Sequence, residues 1–509
     1  MSTAHPFSSN NVRPPNSLNA WTSLDKSTLQ GPLPLGLKCR RRFIPGASGS
    51  LISLDIAFVG GMTALLIVLL HNNLGIHDVG SMAAATFCIS CISILFTYGT
   101  GCYCDDAQGD LSISLVRLAV ALAVSALFLF PFIYCGCVLA AHSSEMGSAG
   151  KAGEISLLGL CSGMFGGLVS RALFTVMRRR RWFHRRILIV CAGFPAKYLR
   201  EFFRTDACSH LTPIYFQTES NATLGNMSSS EEEIHNNQTD ARSGRTIDDF
   251  RHIDQIVIAV EEEANLIVDQ FLAWKAAGVP VLDFITFLER ETGRVNLTWT
   301  KSDWLLYSDG FNFRPFDLVM KRILDVSVSA LLLLLTLPTL LVVSLLIKLE
   351  DQGPIFYRQE RIGLNGRSFW ILKFRTMRVD AEKAGAQWAS KSDPRVTRIG
   401  NILRRGRIDE IPQLINVLRG EMALVGPRPE RPVFVERLAK DIRHYQLRHS
   451  VKAGVTGWAQ INYPYGASVE DARNKLEYDL YYLKHFSFLR DISIMLQTLR
   501  VVIFAQRAR

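Results

Sequence analysis

No cysteine follows Cys208 in this 509-residue chain, which excludes thiol catalysis and disulfides from its whole C-terminal half. Among the chain's ten cysteines, the pairs Cys88/Cys91, Cys102/Cys104 and Cys135/Cys137 lack the histidine or second CxxC that a zinc site requires, and most lie in apolar runs. The first 50 residues contain no apolar run of signal-peptide type; rich in Pro, Ser and Asn, residues 1–50 read as a disordered cytoplasmic tail. Glycine is scarce where a dinucleotide site would need it. After the first soluble strand the chain reads Cys191-Ala192-Gly193-Phe194-Pro195-Ala196, too few glycines to bring a pyrophosphate onto the backbone, which weakens any reading as an NAD-dependent oxidoreductase or epimerase. Acidic residues are outnumbered, 46 Asp and Glu against 57 Lys and Arg, for a net charge of +11. Nucleic acid, anionic lipid or a phosphorylated substrate would each answer that charge, and the long apolar runs favour the last two, leaving nucleic acid out.

The apolar residues are gathered rather than spread. Stretches at 51–70, 82–98, 113–141 and 155–177 each approach the length that spans a bilayer, so residues 51–177 are expected to form four transmembrane helices. Arg40, Arg41 and Arg42 precede the first, and Arg178, Arg179, Arg180, Arg181, Arg185 and Arg186 follow the fourth, which puts both ends in the cytoplasm. The 71–81 loop lacks Lys and Arg, as an outside loop should; the 99–112 loop lacks them too, against the expected topology. Beyond Arg186 the pattern turns soluble. Apolar stretches Ile187 to Val190, Ile256 to Val260 and Val279 to Leu282 alternate with helix-like segments, predicting a Rossmann-like α/β module over 186–300, with a mobile Ser, Glu and Asn-rich insert between Glu219 and Arg245.

A fifth apolar segment runs from Lys321 to Lys348 with Pro338 in its middle and Asp325 near its start. As a full span it would carry the cations after residue 350 out of the cell, against the positive-inside bias. A helix broken at Pro338 enters and returns on one face instead, so residues 315–350 are expected to form a re-entrant membrane hairpin, with Asp325 at the interface paired to Lys321 or Arg322.

After it, in 351–509, the chain becomes dense in Arg, Gly and Pro. Asp409 and Glu410 are adjacent near a helix start and follow Arg404, Arg405 and Arg407: an anionic pair in a cationic surround, suited to a phosphate substrate bound with a divalent cation. An acidic helix start favoured by the macrodipole stays open on the residues alone. Lys373 and Arg375, at i and i+2, share a side if extended and would clamp a pyrophosphate. The stiff turn Val425-Gly426-Pro427-Arg428-Pro429-Glu430 presents Arg428, whose fork matches a phosphate. Gly454-Val455-Thr456-Gly457-Trp458-Ala459-Gln460 adds a glycine-bounded turn with an aromatic.

Lys321-Arg322 with Asp325, Gly353 to Gln359, Lys373 to Met377, the Asp409-Glu410 pair and the Gly426 to Pro429 turn together resemble the bacterial sugar transferase family, the monotopic polyprenyl-phosphate phosphoglycosyl transferases, over about 190 residues. The four spans and α/β module are similar to its large, exopolysaccharide-initiating members. The resemblance implies an α/β membrane protein of the bacterial inner membrane whose cytoplasmic, mainly helical α+β catalytic domain follows the hairpin. It implies an Asp409 that attacks the sugar-bearing phosphate of a UDP-sugar, releasing UMP, before undecaprenyl phosphate accepts the phosphosugar. By motif position it assigns Mg2+ to Glu410, and phosphate or nucleotide binding to Lys373, Arg375, Arg404 and Arg428, with Asp479 as a further candidate. UDP-glucose is the expected donor, with UDP-galactose or another UDP-sugar as alternative; inner-membrane lipids and a homodimer are the expected partners. The rival from another class is a catalytically silent membrane scaffold for glycan assembly. Ala453 stands where the family commonly has proline, a change worth under about 1 kcal/mol.

Overall fold

The computed structural model describes residues 45–74, 79–104, 107–108, 110–142, 146–180, 182–191, 194–204, 211–217, 253–260, 268–300, 302–379, 381, 393–464, 466 and 468–503. The tail expected over 1–50 lies outside them except for 45–50, which is already helical, and so does the insert between Glu219 and Arg245. Four helices cover the four apolar stretches: α1 (Pro45–Leu74), α2 (Val79–Gly99), α3 (Leu111–His142) and α4 (Met146–Arg179), packed side by side. A buried polar knot sets their register. Asp55 on α1 accepts from Arg171 and Ser170 on α4 and, at 2.5 Å, from the Tyr103 hydroxyl between α2 and α3. Such a pair is costly to bury, and breaking it by removing one partner costs about 3–5 kcal/mol. The cations missing from the 99–112 loop come from its neighbours: Arg117 donates to the Gly101 carbonyl at 2.8 Å, and Arg500 from the far end of the chain reaches the Cys104 sulfur at 2.6 Å.

The α/β module is a parallel sheet of β1 (Arg185–Cys191), β2 (Leu211–Gln217), β3 (Gln255–Ala259) and β4 (Val281–Asp283), in the order β2-β1-β3-β4. Both faces of β1 are buried, as a parallel sheet demands. Ile187, Ile189 and Cys191 pack against α5 (Phe194–Arg204) and α7 (Phe284–Thr292), whereas Leu188 and Val190 pack against Phe271 of α6 (Val268–Ala276). Helix α7 is capped by the Asp283 carboxylate, which accepts from the Thr286 amide, and it ends at Gly293 in the left-handed region, φ 65°.

After α8 (Ser302–Tyr307) comes α9 (Pro315–Asp351), long and apolar enough to cross a membrane. The expected break at Pro338 is not seen; the helix runs through it, because proline removes only one backbone donor and the turns on either side keep theirs. The expected pairing of Asp325 with Lys321 or Arg322 is also replaced. Lys321 pairs with Asp491 at 2.6 Å and donates to the Val425 carbonyl, Arg322 donates to the Val417 and Leu418 carbonyls, and Asp325 accepts from the Leu424 amide at 2.9 Å. At the other end Asp351 pairs with Arg375 and Glu350 accepts from the Ile399 amide. Both ends of α9 are therefore tied to the same domain, while Leu331, Leu334, Leu335, Leu341, Val342 and Leu345 between them are exposed.

That domain contains a hairpin of β5 (Phe356–Ile362) and β6 (Ser368–Phe374), turned at Asn365 and Gly366, both with positive φ as such a turn needs. Helices α10 (Arg398–Arg405), α11 (Gln413–Arg419), α12 (Pro432–Asp441), α13 (Trp458–Asn462), α14 (Val469–Lys484) and α15 (Phe488–Ile503) surround a parallel pair, β7 (Ala423–Val425) and β8 (Gly454–Thr456). Its motif glycines serve close approach: a Cβ on Gly426 would sit 2.3 Å from the Lys452 carbonyl oxygen, and one on Gly457 2.2 Å from that of Gly426.

Candidate active site

Three short pieces of backbone converge. Strand β6 delivers Lys373, held in place by the fully buried Asn416 of α11, which accepts from the Leu372 amide at 3.0 Å and donates to the Trp370 carbonyl at 2.8 Å. After α10, capped by Thr397, Arg407 takes a left-handed conformation, φ 54°, and the following turn Ile408–Glu410 presents the two carboxylates. A non-glycine residue held there costs about 1–2 kcal/mol, so the turn is imposed by its surroundings. The loop after β7 delivers Arg428.

These pieces build a cationic ring around Glu410. Its Oε1 accepts from Arg428 at 2.8 Å and lies 3.9 Å from the Lys373 ammonium; its Oε2 accepts from Arg407 Nε at 3.2 Å and lies 3.1 Å from the same guanidinium's NH2. Burial pushes this carboxyl up, but Arg428, Arg407 and Lys373 outweigh it and hold Glu410 far below the usual carboxylate range. Asp409 moves the other way: burial and the Glu410 charge raise it, against Lys373, Arg404 and Arg428. Among the described residues no hydrogen bond ties the Asp409 carboxyl down. Burial, helped by Arg428 and Arg361, lowers the Lys373 ammonium to about 8. Two neighbouring carboxylates with opposed shifts are suited to two roles: a fixed anion, and a more basic group left free to react.

Of the residues expected here, Lys373, Arg404, Asp409, Glu410 and Arg428 act on one another. Arg404 also donates to the Thr376 hydroxyl at 2.9 Å. Arg375 is not brought into the ring. Strand β6 ends at Phe374, so the i, i+2 alternation stops before Arg375, which turns to Asp351 at the end of α9. Asp479 is buried and one step behind the ring, bonded at 2.9 Å to Arg448, and burial raises it to about 6. Lys321, Arg322, Asp325 and Pro338 belong to α9 and its anchorage.

Two residues of the site escaped the sequence reading, Gln460 and Arg448, whereas Arg407 was expected in the cationic surround. Arg407 bonds Glu410 directly, and its signal was its place in the arginine run. Gln460 accepts from Arg428 NH1 at 3.1 Å. Arg448 donates to the Arg428 carbonyl at 3.0 Å, to the Tyr445 hydroxyl at 2.6 Å and to Asp479. No local motif marks it.

No group of three or more His, Cys, Asp or Glu able to hold a metal occurs among the described residues. Magnesium, however, is commonly held by one or two carboxylates plus substrate phosphates. A carboxylate has about four lone-pair positions; Arg407 takes Oε2 and Arg428 one position of Oε1, so one position of Oε1, beside Lys373, fits an ion completed by substrate phosphates.

Comparison with known proteins agrees with this region. The family described as bacterial sugar transferase matches residues 316–505. The chain is 40% identical over 242 residues to the UDP-N-acetylgalactosamine-undecaprenyl-phosphate N-acetylgalactosaminephosphotransferase of Aeromonas hydrophila, covering 47% of this chain and 56% of that one. It is 42% identical over 182 residues to the UDP-glucose:undecaprenyl-phosphate glucose-1-phosphate transferase of Escherichia coli (strain K12), covering 35% and 39%. It is 41% identical over 191 residues to the exopolysaccharide production protein PSS of Rhizobium leguminosarum bv. phaseoli, covering 36% of this chain and 94% of that one. The match thus spans about half the length of the first of these relatives and about two fifths of the second.

Proposed function

The chain belongs to the bacterial sugar transferase family, and from that premise we propose that it moves a sugar-1-phosphate from a UDP-sugar to undecaprenyl phosphate at the cytoplasmic face of the inner membrane, starting an exopolysaccharide. The observation that carries the reading is the Asp409-Glu410 pair, tuned in opposite directions inside the ring of Lys373, Arg404, Arg407 and Arg428.

In this reading an Asp409 oxygen attacks the sugar-bearing phosphorus. The bond from that phosphorus to the bridging oxygen breaks, UMP leaves with the electron pair, and a phosphosugar-aspartyl enzyme remains. An oxygen of undecaprenyl phosphate then attacks the same phosphorus and frees the Asp409 carboxylate. Lys373, Arg404 and Arg428 neutralise the phosphates, whose charge would otherwise repel an incoming carboxylate. Glu410 keeps the guanidinium groups aimed. Glu410 and the donor phosphates would hold Mg2+, which supplies further charge neutralisation.

UDP-glucose is the proposed donor, as the name of the Escherichia coli relative suggests, with UDP-galactose or another UDP-sugar as alternative; the Aeromonas relative is named for N-acetylgalactosamine. The proposed topology places α1 to α4 across the bilayer and seats α9 in the cytoplasmic leaflet with both of its ends on the cytoplasmic side. A segment crossing about 30 Å of hydrocarbon could not have both ends bonded to one soluble domain, and the ties at Asp325 and Asp351 support the same-side reading. The test is a panel of labelled UDP-sugars with undecaprenyl phosphate. The reading expects UMP and labelled lipid from at least one sugar; turnover of none would favour a silent scaffold.

A further inference from the structure

Two independent routes run from the end of the α/β module to Arg428. On the first, the Trp458 indole donates to the Gly293 carbonyl at 2.8 Å. Trp458 opens α13, and the same short helix carries Gln460, which holds the Arg428 guanidinium at 3.1 Å. On the second, Arg294 pairs with Glu477 at 3.0 Å, while the Val295 and Leu297 amides donate to the Glu477 backbone and side chain at 3.0 and 2.9 Å. Glu477 lies on α14 two residues before Asp479, about 200° round the helix by its 3.6-residue turn. That helix is thus gripped by the module on one side and bonded on the other through Asp479 and Arg448 to the Arg428 carbonyl. A turn and a half further on, Lys484 and His485 both meet Glu289 of α7, at 2.7 and 2.8 Å.

We propose that residues Glu289–Arg294, outside the family-matched segment, form a positioning strap through which the α/β module holds Arg428 in its reactive orientation. Geometry separates this strap from ordinary domain packing. One route ends on the guanidinium of Arg428 and the other on its backbone carbonyl, so together they fix both position and aim. Burial makes the strap stiff: the Glu289, Arg294, Glu477 and Lys484 side chains are each 4–7% exposed, and polar contacts in such surroundings hold their geometry tightly. Val295 and Leu305 are core members of the transferase domain, packed with Tyr445, Leu476 and Leu480. The functional unit therefore begins before α9.

The inference rests on the transferase reading and is tested in the full-length chain by a double-mutant cycle. Arg294→Met and, separately, Trp458→Phe are each made in the wild type and in an Arg428→Lys background, and UMP release from the UDP-sugar is measured. Trp458→Phe removes the hydrogen bond along with the indole's five-membered ring and keeps an aromatic face toward Tyr481. Each strap variant is expected to lower kcat about tenfold in the wild type, with Arg294→Lys restoring most of it, and to have under a threefold effect once Arg428 is lysine. An equal loss in both backgrounds means a merely structural role and overturns the strap. Should the wild type turn over no sugar, the transferase reading falls by itself. The same cycle read on UDP affinity then decides the strap, coupling supporting it and additivity overturning it.

Discussion

Lys373 gives the sharpest test, because its environment moves it into a measurable range. Burial and two neighbouring guanidinium groups lower its ammonium from 10.5 to about 8, with Glu410 opposing. At pH 7 the ammonium outnumbers the amine by about ten to one, and at pH 9 the ratio is reversed, one pKa unit being a factor of ten. A charge-assisted bond to phosphate is worth about 1.5–3 kcal/mol, so the neutral form contributes little. The rate on the free enzyme should then follow the protonated fraction: kcat/KM for the UDP-sugar is flat to about pH 7.5 and falls about tenfold by pH 9. Unfolding cannot imitate this. A lysine whose folded pKa lies below its unfolded one binds fewer protons when folded, so its contribution to stability rises with pH between about 8 and 10.5. The assay is UMP release from pH 6.5 to 9.5, with Lys373→Arg alongside. That variant should be slower but lack the alkaline limb, since guanidinium keeps its charge. A flat wild-type profile to pH 9.5, or the same limb in the variant, would refute the assignment of Lys373 to the donor phosphates.

Asp409→Asn should abolish turnover while its level in membranes stays the same; measurable lipid product would remove Asp409 as nucleophile. Asp479→Asn leaves Arg448 buried beside a neutral amide and should cost about 3–5 kcal/mol, read as a lowered unfolding midpoint; an unchanged midpoint would mean that the pair adds nothing. Gly426→Ala places a Cβ 2.3 Å from the Lys452 oxygen and should remove activity by displacing the Arg428 loop, and wild-type rates would contradict the close-approach argument. A cysteine replacing the exposed Asn365 should react with a membrane-impermeant reagent only after the inner membrane is opened, and labelling in intact spheroplasts would indicate that α9 crosses.

Much of this was legible along the chain because burial leaves periodic marks. The apolar runs located α1 to α4, and three of the four module strands appeared as Val and Ile stretches. Strand β2 did not, because Leu211-Thr212-Pro213 puts a threonine and a proline where an apolar run would begin. It is an edge strand, where the missing amide costs no ladder bond. The acidic pair and Arg428 stood out through their neighbours. What periodicity could not give is contact between distant residues. Arg448 lies 31 residues from Asp479 and 20 from Arg428, and nothing local says that it joins them. Arg375 shows the converse: a spacing rule holds only while the strand lasts, and β6 stops one residue too soon.

One further regularity explains why the ring sits where it does. Phe374 follows Lys373 in the chain, and Leu403 precedes Arg404; both apolar members pack on Val343 and Ile347 of α9. The same two elements thus present cations on one side and lean on the apolar helix with the other. The cations of the ring are consequently about one side chain away from the exposed apolar surface of α9. Under the proposed topology an acceptor phosphate can meet Asp409 while its chain remains in hydrocarbon, so no step has to carry a long polyprenyl tail into water, at about 0.8 kcal/mol per exposed CH2 group. If the ring and α9 were separate features, trimming Ile347 to alanine would only lower stability. Because Phe374 rests on it, the same trim should also raise KM for the acceptor more than for the UDP-sugar, and equal effects on both substrates would show that the helix anchors the domain without aligning the site.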